Sequence, residues 1–278
     1  MKRKRFLSIG IALGVGVVVL FSLAPFLWQV VTSLKPSNEI FSRPVRYIPS
    51  HLDLSAYVKI FSRHPFARQI LNSVFIACAG TFLCLFASSL ASYALARLRL
   101  RGGRGFLLFL LFLSLFPPVV LIVPLYEMVS TFGLMNNYLA LIIPYAALNV
   151  PFATWVLTSF FRQIPEALED AAKVDGLSCL GILVRIILPL SAPALATTAI
   201  LVFIFCWNEF LFALTFMTRA TSRTVPVGIA MLSGASQYEI PWDQISAATV
   251  LTTLPLVAFV VLFQRRIVEG LTAGAVKG

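Results

Sequence analysis

Apolar residues in this chain do not alternate with polar ones; they run in long blocks. Six blocks, at about 7–31, 70–96, 105–129, 138–161, 187–216 and 245–264, each approach or exceed the roughly 20 apolar residues that a helix needs to cross a bilayer. Charges are absent from their interiors except for Glu127 and Glu209, each near the end of its block. This continuity predicts helices, not the short alternating strands of an outer-membrane barrel. Pro117, Pro118, Pro144 and Pro151 fall inside two blocks. They are expected as kinks, because neighbouring helices in a membrane can satisfy the backbone groups that proline frees. The expected fold class is an all-α membrane protein with six transmembrane helices.

Composition agrees with a lipid environment. The 278-residue chain is 59% hydrophobic and only 12% charged, about half the charge of a soluble globular chain. Its formal net charge of +11 does not read as nucleic-acid binding, because the basic residues gather at the ends of apolar blocks. With six spans both termini share one side. That side would hold 14 of the 22 Lys and Arg, four of them the crowded Arg97, Arg99, Arg101 and Arg104. The positive-inside rule therefore places both termini in the cytoplasm and reads these arginines as topological anchors. The first block follows Met1-Lys2-Arg3-Lys4-Arg5 but is too long for a cleaved leader and lacks a following A-x-A site, so an uncleaved membrane helix is expected. Cys78, Cys84, Cys179 and Cys206 form no CxxC and read as packing residues.

Chemistry of the usual enzymatic kinds is missing from the sequence. No lysine is followed by Ser or Thr, so there is no Walker A phosphate loop. His51 and His64, the two histidines, make no zinc pattern and fall in the polar 35–69 loop, where solvated positions are expected. No GxSxG elbow occurs. An intramembrane enzyme is therefore a poor reading: the sequence carries no ATPase site, no cofactor or metal is expected, and any ATP energy would have to arrive from another subunit.

One segment on the expected cytoplasmic side carries a signal. Residues 164–176, IPEALEDAAKVDG, read as a short helix with acids in its first turn and Gly176 at its end. A helix this short is marginal alone in water, and the small Ala171 and Ala172 would let another surface approach closely. The pattern Asp170-Ala171-Ala172-x3-Gly176-x9-Ile186-x-Leu188-Pro189 resembles the EAA motif of binding-protein-dependent ABC importer permeases, with aspartate where glutamate is usual. The resemblance implies a MetI-like type I importer fold. It also implies that Glu169, Asp170, Ala171, Ala172, Gly176, Ile186, Leu188 and Pro189 couple the chain to a separate ATPase. Its expected layout is an N-terminal helix and outer loop over 1–65, a core over 66–264 containing the coupling loop 162–186, and a cytoplasmic tail over 265–278. The coupling loop is expected to act as a lever on the fifth span through Gly176 and Pro189.

Phe205-Cys206-Trp207-Asn208-Glu209-Phe210 and the C-terminal stretch from Gln264 to Gly278 are similar to the maltose- and trehalose-type carbohydrate branch. That similarity implies a sugar importer of the cytoplasmic membrane. Its implied partners are a second related permease, an ATP-binding subunit dimer and an extracytoplasmic sugar-binding protein. The tail is expected as an extended segment against a partner. Trp207 lies 18 residues beyond Pro189, roughly 27 Å along a straight helix. Trp207, Asn208 and Glu209 supply the aromatic face, amide and carboxylate that sugars bind, and Tyr145 and Asn149 are further pathway candidates, as is Asn72. Structural anchoring and helix–helix hydrogen bonding are the competing roles for these residues. The alternatives are an ABC permease for another solute and a secondary transporter. The second would need ion-coupling carboxylates that the spans largely lack.

Overall fold

The computed structural model describes residues 2–98, 100, 102–232 and 240–273. Among them every regular element is helical. The order is α1 (Lys2–Ser33), α2 (Ser55–Arg63), α3 (Phe66–Arg97), α4 (Gly103–Ser114), α5 (Ile122–Thr131) and α6 (Leu139–Phe161). The short α7 (Glu166–Val174), α8 (Cys179–Ile182) and α9 (Leu188–Leu190) follow, then α10 (Ala192–Asn208), α11 (Leu211–Phe216), α12 (Val225–Ala230) and α13 (Trp242–Ala273). The chain divides into two compact units, 1–67 with 228–255 and 68–227 with 256–278.

Among the described residues three helices are long and apolar enough to cross a membrane unbroken: Gly10–Ser33 within α1, α3 and α6. Two predicted spans are not single helices. In the 105–129 block, α4 and the Pro118–Thr131 segment meet at 85°. Pro117 is extended at φ −64°, ψ 121°, as a residue before proline prefers, and neither Pro117 nor Pro118 has an N–H to carry the helix forward. The expected kink is therefore a break. In the 187–216 block, Cys179–Leu190 and α10 meet at 82° across Ser191, where Pro193 in the first turn of α10 cannot bond back to Pro189. Pro144 and Pro151, by contrast, stay inside the continuous α6. The 245–264 block falls within α13, which is helical to Ala273, so the first part of the expected extended tail is helix. Residues 274–278 lie outside the described residues, as do Arg99 and Arg101.

In the larger unit, α3 and α6 approach through small side chains. Gly80, Cys84, Ser88 and Ser92 recur every four residues on one buried stripe of α3. A Cβ on Gly80 would meet Cys206 Sγ at 3.4 Å and Tyr145 Cβ at 3.7 Å. Ser92 donates to the Thr154 carbonyl at 3.0 Å and Ser88 to that of Val150 at 3.4 Å. Small and hydroxylated residues are the usual means of close helix contact in lipid. Around this seam Ile76, Ala77, Tyr145, Val202, Cys206, Phe212 and Phe216 form the main apolar cluster.

The smaller unit orders the 35–69 loop. The buried Lys35 donates to the Arg46 carbonyl at 2.5 Å and lies 4.5 Å over the Trp28 ring. Glu39 accepts from Arg46 at 2.8 Å and from the Ser50 N–H at 3.1 Å. Asp243 accepts from Ser37 at 2.9 Å and faces Lys59 at 3.9 Å. The amphipathic α2 buries Ala56 and Ile60 and exposes Val58 and Phe61. His51 is exposed and His64 half-buried, in keeping with loop positions.

Candidate coupling site and polar clusters

The predicted helix of the 164–176 segment forms as α7. Pro165 stands at its N-cap, and Glu166 and Glu169 occupy the first turn, where acids complement the helix dipole. Its end is a Schellman turn. Gly176 takes φ +80°, its N–H reaches the Lys173 carbonyl at 3.0 Å, and the Leu177 N–H reaches that of Ala172 at 2.9 Å. No neighbouring atom lies within 4 Å of a Cβ built on Gly176. Only the backbone conformation demands glycine here.

Helical geometry splits the motif into two faces. Glu169 and Ala172, three residues apart, are buried. Ala167, Asp170, Ala171 and Val174, at i, i+3, i+4 and i+7, point outward, with Val174 88% exposed and Leu168 45% exposed beside them. The two alanines expected to act together therefore do different work. Ala172 packs into a cluster with Tyr93, Leu157, Phe161, Ile182, Leu183 and Ile187, whereas Ala171 belongs to the open face. Asp170 is also on that face and pairs with Lys173 at 2.8 Å. This hydrogen bond, with the attraction of the Asp170 charge, raises the Lys173 ammonium above its ordinary range.

Glu169 does not face outward. Its carboxylate forms an ion pair with Arg97 of α3, with the two side chains only 5% and 7% exposed, and Tyr93 donates to it at 3.4 Å. Arg97 also donates to the Ile164 carbonyl at 2.6 Å. Arg97, read from the sequence as a topological anchor, is also buried and paired with Glu169, and burial is tolerable once the charge is paired. Ile186, Leu188 and Pro189, the far end of the motif, lie on a helix carrying a π-helical segment, Leu183–Ile187. Ile186 and Leu188 pack against the cluster that holds Ala172. Both ends of the motif thus share one apolar core, which spacing alone does not reveal.

The predicted pathway set separates. Tyr145 donates to Glu209 at 2.5 Å, and the same carboxylate accepts the N–H groups of Phe212 at 2.9 Å and Ala213 at 3.2 Å. Glu209 is extended at φ −65°, ψ 131° between α10 and α11, so its charge caps α11 and ties it to α6. Asn149 joins this group by donating to the Tyr145 carbonyl at 2.8 Å. Trp207 does not: it is 5% exposed, stacks on Phe203 at 5.8 Å and belongs to the apolar core. The bend at Ser191 also removes the straight path from Pro189 on which its depth was reckoned. Asn208 is exposed and bonds back to the Ile204 carbonyl at 2.8 Å. Asn72 is a clamp with every polar atom used. It donates to the Thr221 and Arg223 carbonyls, both at 2.9 Å, and accepts from Tyr138 at 2.7 Å.

A polar cleft of about 580 Å³ opens beside that clamp, lined by Arg68, Asn136, Asn137, Tyr138, Thr221 and Ser222. Sequence reading missed it because three distant segments build it. The one local signal is Gly133-Leu134-Met135-Asn136, a turn in which Asn136 takes φ 61°, a conformation that asparagine tolerates.

Comparison with known proteins shows the family of this chain. A family model described as "Binding-protein-dependent transport system inner membrane component" matches residues 85–272. The trehalose/maltose transport system permease protein MalG of Thermococcus litoralis is 43% identical over 277 residues, covering 99% of this chain and 98% of that one. The sulfoquinovosyl glycerol transport system permease protein SmoH of Agrobacterium fabrum is 40% identical over 262 residues, covering 94% and 91%. The crystal structure of a bacterial ABC transporter involved in the import of the acidic polysaccharide alginate matches the fold at a TM-score of 0.81 and 23% identity. It covers 95% of this chain and 98% of that one. With a helix that carries the EAA pattern and a family model matched across most of its length, this chain belongs to the inner membrane components of binding-protein-dependent ABC transport systems.

Proposed function

We propose that this chain is the permease subunit of a sugar importer, and that it moves its substrate by alternating access driven by a separate ATPase. The observation that carries this reading is the two-faced α7. Its inner face is bound to its own protein by a buried ion pair and an apolar core. Its outer face presents Ala167, Leu168, Ala171 and Val174 to a partner. Closure of an ATPase dimer on that face would displace the helix, and the energy would come from contacts that differ between the open and closed ATPase states.

The substrate class rests on relatives. Permeases whose names specify trehalose/maltose and sulfoquinovosyl glycerol are 43% and 40% identical to this chain. A disaccharide such as trehalose or maltose is the preferred cargo, since the trehalose/maltose relative matches along almost the full length. The working assembly comprises a second related permease, two ATP-binding subunits and an extracytoplasmic sugar-binding protein. It lies in the cytoplasmic membrane with both termini of this chain inside.

The test is purification of the tagged chain from its membrane in mild detergent, followed by reconstitution. Stoichiometric recovery of a second permease and an ATPase, with ATP-dependent uptake of trehalose or maltose, is expected. Uptake that persists without ATP and follows an ion gradient would overturn the reading.

A further inference from the structure

Several polar ties of the coupling segment converge on the last turns of α3. The Arg97 guanidinium holds Glu169 of α7 in an ion pair, donates to the Ile164 carbonyl at 2.6 Å and lies 4.0 Å from Glu166. Tyr93, one turn earlier on α3, donates to Glu169 at 3.4 Å, and Arg162 reaches back to the Leu95 carbonyl at 3.4 Å. Residues 162–169 are thereby held to the last turns of α3 from both directions.

The link from α7 to the following helices is of a different kind. Among the described residues it runs through the Gly176 turn and the apolar contacts of Ala172, and such contacts can slide. Beyond them lie the π-helical Leu183–Ile187 and the 82° bend at Ser191. Helix α3 has no such interruption. Its 32 residues contain no proline and span roughly 48 Å at 1.5 Å per residue. At its other end Gln69, Asn72 and Ser73 bond to residues 220–225, and Arg68 lines the polar cleft.

We infer that Arg97 is a positioning residue of the transport cycle: it ties α7 to the end of α3, so that displacement of α7 reaches the far side of the subunit along α3. A guanidinium fork suits this task, because it grips several acceptors in fixed geometry. Parting a buried pair leaves two uncompensated charges, so the joint resists shear. The inference rests on α7 being the ATPase-coupling helix.

The experiment uses the complete transporter in proteoliposomes, with trehalose as the probe and maltose where the wild type prefers it. The readout is sugar moved per ATP hydrolysed, normalised to assembled complex. Arg97→Ala and Glu169→Ala are expected to lower this ratio at least about tenfold while hydrolysis continues, with Arg97→Lys intermediate. Should a lone buried charge prevent assembly, Arg97→Met/Glu169→Met removes both charges and keeps the volume. A merely structural pair would change the yield of complex and leave the ratio alone. The inference is overturned if the Met pair assembles and keeps the wild-type ratio. Ala171→Leu separates the two readings. If it uncouples while the Met pair does not, the tether alone fails; if neither uncouples, the coupling role of α7 fails with it.

Discussion

Adjacent alanines of the motif should give opposite phenotypes. Ala172 is 3% exposed and packs among Tyr93, Leu157 and Phe161. Replacing it with leucine forces three more carbon atoms into a filled space, an overpacking that costs about 1–3 kcal/mol. One or two kcal/mol is already a factor of roughly 5–30 in the folded-to-unfolded ratio. Ala171 stands on the open face, where a surface change stays within about 0.5 kcal/mol. Leucine there should leave the subunit as stable as wild type but obstruct a close-fitting partner. Two measurements on purified variants decide it: thermal unfolding in detergent, and recovery of the ATPase with its coupled sugar uptake. Ala172→Leu is expected to lower the melting temperature, and Ala171→Leu to keep it and lose ATPase recovery or uptake. Equal destabilisation by both would refute the assignment of faces. A fully active Ala171→Leu transporter would refute the docking role of the outer face.

Other expectations follow from single contacts. Gly176→Ala places a Cβ in the left-handed region at φ +80° with no atom in its way, a strain of about 1–2 kcal/mol, whereas Gly176→Asn should cost less; thermal unfolding compares the two. Asn72→Ala removes the partner of two carbonyls and of the Tyr138 hydroxyl, at about 0.5–1.5 kcal/mol for each hydrogen bond lost, since Thr221 and Tyr138 border the open cleft and water can replace the amide there. It should lower stability and leave sugar preference unchanged; a changed preference with wild-type stability would restore Asn72 to the pathway. Glu209→Ala removes the cap of α11 and the partner of Tyr145, a loss of about 0.5–2 kcal/mol for the cap alone, checked by unfolding with uptake measured in parallel. Hydrogen bonds from Ser50, with the Arg46 charge beside them, hold the Glu39 carboxyl below its ordinary 4.5. A depressed carboxyl contributes stability above its unfolded value, and that contribution is lost as pH falls through the folded one. Acidification from pH 7 to below 4.5 should therefore destabilise the wild type more than Glu39→Gln, as read by unfolding across that range; parallel curves would exclude the contribution.

The chain's helical, membrane-embedded class was written in its local chemistry. Unbroken apolar blocks can satisfy their backbone only as helices in lipid, and α7 announced itself through its first-turn acids and terminal Gly176. The EAA spacing was legible for the same reason, since every residue of it lies within 20 positions. Tertiary structure decided what each of those residues faces. Arg97 and Glu169, 72 positions apart, become partners only because α3 runs back beside α7, and a charge reads alike in sequence whether solvated or paired. Trp207 and Glu209, two positions apart, part company at the end of α10. There the helical path stops, and one side chain enters the core while the other caps a new helix. The 85° bend falls at Pro117 and Pro118, where a kink was expected, and the 82° bend at Ser191, where none was. Whether such sites break or stay helical depends on whether neighbours replace the lost hydrogen bonds. Local pattern determines which element forms; burial, pairing and direction belong to contacts between segments that the linear order does not bring together.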